Sequence, residues 1–213
     1  MLGWLIDFVL HLDRHLIEML ARYELWIYPI LFAVIFAETG FVVTPFLPGD
    51  SLLFAVGALA AVDTSGTLSA PVATVALGSA AVLGNTVNYA IGRAIGPPAF
   101  SGRYHLLKVE YLRRTEEFFR RYGGMAVLLS RFVPIVRTCA PFVAGVGRMP
   151  YGRFVLYNCV GGFAWVLLFI WGGYLFGNIP WVKEHFSLVT LFIVAASLVP
   201  LAAALAHAQR PPD

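Results

Sequence analysis

The apolar stretches of this chain differ in length, and their lengths decide what each can do in a bilayer. Residues 1–22 set Leu5, Phe8, Val9, Leu12, Leu16 and Leu20 opposite Asp7, His11, Asp13, Arg14, His15 and Glu18. That is the period of an amphipathic helix lying on a membrane surface. Residues 25–62 are apolar apart from Glu38 and a break at Thr44-Pro45-Phe46-Leu47-Pro48-Gly49-Asp50, where two prolines and a glycine end any helix. The returning arm, residues 50–62, reaches about 20 Å as a helix, short of a hydrocarbon core of about 30 Å. The pattern therefore predicts a re-entrant hairpin with Pro45, Pro48 and Gly49 at its tip. Such irregular backbone survives at depth only where protein or a water-filled cavity surrounds it.

Residues 70–92 read as a transmembrane helix, rich in small groups that allow close packing. Asn85, Asn88 and Tyr89 near its end call for polar partners. Residues 93–122 form a basic amphipathic segment holding seven of the fifteen Lys and Arg residues, which places it in the cytoplasm. Residues 123–148 are apolar but hinged at Pro134, and only about 16 Å of helix precedes that proline. A second re-entrant hairpin is predicted, since a crossing would put Arg148 and Arg153 opposite the basic segment. Transmembrane helices at 154–177 and 186–208 complete the pattern.

The order repeats: amphipathic helix, re-entrant hairpin, transmembrane helix, then the same again, with one extra C-terminal transmembrane helix. Arg22-Tyr23 and Arg121-Tyr122 open the two hairpins, and Phe54-Ala55-Val56-Gly57 and Phe142-Val143-Ala144-Gly145 echo on their returning arms. One span between the hairpins inverts the halves, which is the architecture of alternating-access transporters. Composition agrees, because 59% of the 213 residues are hydrophobic and 13% charged, which makes this an all-α integral membrane protein of one domain. Met1–Asp7 lack the positive region of a cleavable signal, so the first helix is expected in the mature chain. Cys139 and Cys159 lie in apolar stretches and read as small buried hydrophobes.

Against that background four charges stand out: Glu38, Asp50, Arg131 and Arg137. A central Arg costs about 2.5–3.5 kcal/mol even on insertion scales, so ionisable groups kept there point to a substrate or proton path. A guanidinium grips two phosphate oxygens and keeps its charge when buried, and neither lysine of the chain lies in these stretches. Arg131 and Arg137 are thus candidate phosphate-binding residues. Glu38 and Asp50 are candidate proton carriers, expected to pair with the arginines when the site is empty. Asp50, after Pro-Gly and before a helix, also fits an N-cap.

Phe36-Ala37-Glu38-Thr39-Gly40, Thr44 to Leu53, Tyr89-Ala90-Ile91-Gly92-Arg93 and Arg131-Phe132-Val133-Pro134-Ile135-Val136-Arg137 together resemble the DedA family, the SNARE-associated or VTT-domain superfamily, over residues 25 to 205. The resemblance implies lipid translocation. Bacterial members are associated with flipping undecaprenyl phosphate or phosphatidylethanolamine and with the proton motive force, and eukaryotic relatives scramble phospholipids. It also implies that the charges at 38, 50, 131 and 137 are the family's essential ones. Asn85 departs from the pattern, since many relatives carry Asp there.

The function expected is a non-enzymatic transporter of the bacterial inner membrane, carrying undecaprenyl phosphate or another phospholipid with protons as partners. No nucleic-acid partner, cofactor or metal is expected, and a homo-oligomer is compatible with the sequence. His11 and His15, with Asp7 and Glu18, read as a solvated helix face rather than a metal site. Rival readings are an intramembrane protease, suggested by Glu116-Glu117 and Arg121, a polyprenyl pyrophosphate phosphatase, and a proton-coupled cation or drug antiporter.

Overall fold

A computed structural model describes residues 24–41, 49–99, 122–132, 134–177, 179–184, 188–189 and 192. The described residues are helical, with no strand among them. A single 3-10 turn, Glu24–Trp26, leads into α1 (Ile27–Gly40). Then come α2 (Gly49–Val62) and α3 (Ala70–Ala99). After these follow α4 (122–130), α5 (Pro134–Val146), α6 (Tyr151–Phe176) and the short α7 (Pro180–Glu184). The amphipathic stretch 1–22, the tip with Pro45 and Pro48, most of the basic segment and most of the last apolar stretch lie outside the described residues.

Two helices among these are long and apolar enough to cross a membrane: α3 from Ala70 to Ile95, and α6, each 26 residues. At 1.5 Å per residue each reaches about 39 Å. Their outward faces expose Val72, Val75, Leu83, Leu156, Val160, Leu168 and Leu175. An apolar face of that extent suits hydrocarbon better than water. The third helix runs seven residues past position 92. α6 begins three residues before position 154, where the Pro150 carbonyl accepts its first bond from Phe154 N at 3.0 Å.

The described residues belong to two compact units. The first takes residues from Met1–Ala33, Phe46–Leu77 and Trp165–Asp213, the second from Val34–Pro45 and Gly78–Ala164. In the first unit, α2 meets the second half of α6 backbone to backbone. A Cβ on Gly57 would lie 1.9 Å from the Ile170 carbonyl oxygen, and one on Gly173 would lie 1.9 Å from that of Phe54. The α2–α3 loop of this unit is held by Asp63, whose carboxylate accepts from Leu68 N at 2.7 Å and from Ser65 N at 2.9 Å. Tyr28 of α1 donates to the Thr67 carbonyl and accepts from Ser69 N, fixing the same loop.

In the second unit α3 packs on α5 in the same way. A Cβ on Gly92 would stand 2.1 Å from the Phe142 carbonyl oxygen, and one on Gly145 would stand 2.1 Å from that of Tyr89. A core of Tyr89, Val127, Ala144, Met149 and Phe154 closes around this contact, with Tyr89 and Phe154 stacked at 4.2 Å. α5 ends in a Schellman motif: Met149 N bonds the Ala144 carbonyl at 3.0 Å and Arg148 N bonds that of Gly145 at 3.0 Å. Arg148 therefore occupies the left-handed position, with φ 49°, that glycine usually fills. The hydrophobic contact that accompanies such a cap is Met149 against Ala144, both in the core.

Candidate functional site

Glu38, Arg131 and Arg137 of the second unit each sit near the end of a helix. Glu38 and Thr39 occupy the last turn of α1. Arg131 follows α4, which closes with 3-10-type bonds spanning three residues, from Arg131 N to the Leu128 carbonyl at 3.3 Å and from Phe132 N to that of Leu129 at 3.2 Å. Pro134 then opens α5, where its missing N–H costs nothing, and places Arg137 one turn in. Pro141, farther along α5, removes the donor that the Arg137 carbonyl would otherwise receive.

Glu38 and Arg137 meet directly, with Arg137 Nη2 donating to Glu38 Oε1 at 2.6 Å. Both are buried, so the pair forms in low dielectric and each charge depends on the other. Beside it, Asn88 of α3 donates from Nδ2 to the Thr39 carbonyl at 3.2 Å and to the Thr138 carbonyl at 2.8 Å. The Thr39 carbonyl is one of the four that an α-helix leaves without a partner at its end, so Asn88 caps α1 while tying it to α5. Close approach makes this possible: a Cβ on Gly84 would lie 2.0 Å from Thr39 Oγ1.

Arg131, 2% exposed, is held by neutral groups. Its Nη2 donates to Asn158 Oδ1 of α6 at 2.6 Å and to the Ala81 carbonyl of α3 at 3.3 Å. The Asn85 amide finds complementary partners with its oxygen 2.8 Å from Arg131 Nη2 and its nitrogen donating to the Thr39 carbonyl at 3.3 Å. The opposite orientation gives Asn85 Nδ2 a bond to Asn158 Oδ1 at 3.1 Å but turns an NH2 towards the guanidinium, so the first is preferred. Arg131 Nη1 is buried and has no hydrogen-bond partner, nor has Asn88 Oδ1. Arg131 also feels the charges of Arg137 and Glu38. Among the described residues, two guanidiniums and one carboxylate leave this cluster with one net positive charge, and a buried net charge invites a mobile counter-ion.

Of the residues expected from sequence to act together, the second unit gathers Glu38, Arg131 and Arg137. Asp50 belongs to the first unit, in the first turn of α2 after Gly49, where it accepts from Trp165 Nε1 at 2.8 Å. Pro45 and Pro48 lie outside the described residues. Asn158, Thr39, Thr138 and Trp165 were not legible as site residues. The available signal for Asn158 was its place as the lone amide in a 26-residue apolar helix. Trp165 and the carbonyl contributors had none, because a tryptophan in a membrane helix and a backbone oxygen look ordinary in sequence. Among the described residues no group of three or more His, Cys, Asp or Glu could hold a metal ion.

Residues 47–175 match the VTT domain family. The chain is 49% identical to Protein DedA of Escherichia coli strain K12, over 92% of this chain and 90% of that one. It belongs to the DedA family. Other members include an uncharacterized membrane protein of Mycobacterium tuberculosis, 40% identical over 85% of this chain and 80% of its own. The inner membrane protein YghB of Escherichia coli is 34% identical over 95% of this chain and 88% of its own. No solved structure matches the chain. With spanning-length apolar helices and relatives named as membrane proteins, this DedA-family chain is a membrane protein.

Proposed function

We propose that the protein is a transporter that moves a phosphate-headed lipid across the bacterial inner membrane, with undecaprenyl phosphate as the first candidate substrate. The observation that carries this reading is Arg131: a buried guanidinium with neutral partners and an unused Nη1. A phosphate monoester supplies both what Nη1 lacks, an acceptor, and what the cluster lacks, negative charge. Arg137 is the second ligand, released when Glu38 takes a proton and gives up its bond. Asp50 is the second proton carrier.

The helix lengths fit the same reading. α1 and α2, at 14 residues each, reach about 21 Å, and α5 about 20 Å, so none spans about 30 Å of hydrocarbon. Two re-entrant hairpins in inverted repeats, entering a multi-pass protein from opposite faces, account for such arms. Broken helices that end within the bilayer would bind the headgroup while the tail stays in lipid. The inner-membrane placement follows the name of the YghB relative.

Reconstitution tests this. Liposomes carry undecaprenyl phosphate in one leaflet, or phosphatidylethanolamine in a parallel sample, with and without an imposed pH gradient, and exposure at the other leaflet is followed. The expected result is transfer of the phosphate lipid, accelerated by the gradient and lowered at least about tenfold in Arg131→Lys, since lysine cannot grip phosphate in two places. Transfer of phosphatidylethanolamine alone would move the substrate to phospholipids. Indifference to the gradient would remove the proton, and an active Arg131→Lys protein would remove the phosphate site.

A further inference from the structure

The groups around Arg131 are unusual for a buried guanidinium in being neutral amides, and they come from two different helices. Asn158 of α6 is 0% exposed and uses both ends of its side chain. Its Oδ1 accepts from Arg131 Nη2 at 2.6 Å, while its Nδ2 donates to the Val82 carbonyl at 3.0 Å and to Thr86 Oγ1 at 3.4 Å. With Nδ2 committed to α3, Oδ1 has one direction left, towards the arginine. Asn85 adds its amide oxygen on the same nitrogen. Gly162, one turn farther along α6, leaves room for the guanidinium, since a Cβ there would stand 3.2 Å from Arg131 Nη2. The fold therefore grips one terminal nitrogen of Arg131 and leaves the other buried without a partner.

Elementary electrostatics gives the choice of amide over carboxylate a consequence. A carboxylate 2.6 Å from Nη2 would hold the guanidinium as well or better and would cancel its charge, closing the site to any other anion. An amide holds the geometry and leaves the charge. We infer that Asn158 is a positioning and selectivity residue: it orients Arg131 without neutralising it, so that Nη1 and the charge are kept for an anionic phosphate headgroup. This rests on the proposed phosphate site.

The test uses the full chain in detergent micelles, with short-chain phosphatidic acid as probe, the matching uncharged diacylglycerol and inorganic phosphate as controls, and titration calorimetry as readout. Thermal unfolding of the unliganded protein runs alongside. Wild type is expected to bind phosphatidic acid and not diacylglycerol, and Arg131→Gln to lose binding. If wild type does not bind, or Arg131→Gln binds equally, the phosphate site fails and the inference with it. If inorganic phosphate binds as tightly as the lipid, the site reads the headgroup alone and the Asn158 comparison is run with phosphate.

Given a working site, Asn158→Asp places a counter-charge on Arg131. It is expected to keep its unfolding midpoint and to weaken the probe at least about tenfold, a loss of about 1.4 kcal/mol. A merely structural Asn158 predicts the reverse: a folded Asn158→Asp protein that binds like wild type overturns the inference and leaves the phosphate site standing. Should Asn158→Asp not fold, Asn158→Ala, which removes the hold on Arg131 Nη2, decides instead: a folded Asn158→Ala protein that binds the probe like wild type overturns the inference. If neither folds, Asn158 serves the fold alone, which also overturns the inference.

Discussion

Arg137 and Glu38, 99 residues apart in sequence, share a 2.6 Å hydrogen bond between two buried side chains. Neither charge is stable at that depth alone, and the bond joins the end of α1 to the first turn of α5. Protonation of Glu38 therefore loosens the link between two interrupted helices.

Breaking that pair from one side leaves a buried charge. Glu38→Ala and Arg137→Ala are each expected to lower stability by about 3–5 kcal/mol. The double variant should recover part of that loss, since neither member of the pair is left without the other. Thermal unfolding of the four proteins in micelles, treated as a double-mutant cycle, checks it; additive losses would mean the two side chains do not depend on each other.

Gly92 admits the Phe142 backbone at a distance where any side chain would collide with a carbonyl oxygen, 2.1 Å from an ideal Cβ. A backbone cannot rotate away as a side-chain tip can. Gly92→Ala should therefore lower stability by about 1–3 kcal/mol. Gly172→Ala, whose Cβ meets nothing within 4 Å, should be neutral or stabilising by up to about 1 kcal/mol in its helix. Unfolding midpoints that fail to separate these two would mean that α3 and α5 do not meet as described.

Asp63 lies in the α2–α3 loop, and its carboxyl is held below the ordinary value of 3.8, first by the hydrogen bond from Leu68 N and then by Ser65. A carboxyl whose folded pKa is depressed contributes stability above its unfolded pKa and loses that contribution as pH falls through the folded value. The loop's support should thus be complete at neutral pH and fade below about pH 3.8. Asp63→Asn should flatten this part of the stability profile, measured as the difference in unfolding midpoint between pH 7 and pH 3. An unchanged profile would show that Asp63 does not bind its proton differently on folding.

Much of this protein was legible in the chain itself. Apolar length against bilayer thickness gave the helices of α3 and α6, and Pro134 marked the interruption between α4 and α5, because both depend on local chemistry that needs no neighbour. The cost of burying charge singled out Glu38, Asp50, Arg131 and Arg137 for the same reason. Pairing was another matter. That Glu38 takes Arg137, that Asp50 takes an indole N–H from Trp165, and that Arg131 is gripped by Asn85 and Asn158 depend on which helix faces meet. Those meetings are set by glycines admitting backbone at 92, 145 and 84 and by a few ångströms of helix offset. An asparagine that holds a cation without neutralising it looks, in sequence, like any polar residue in a membrane helix; only the packing of α3, α4 and α6 makes it a partner for Arg131.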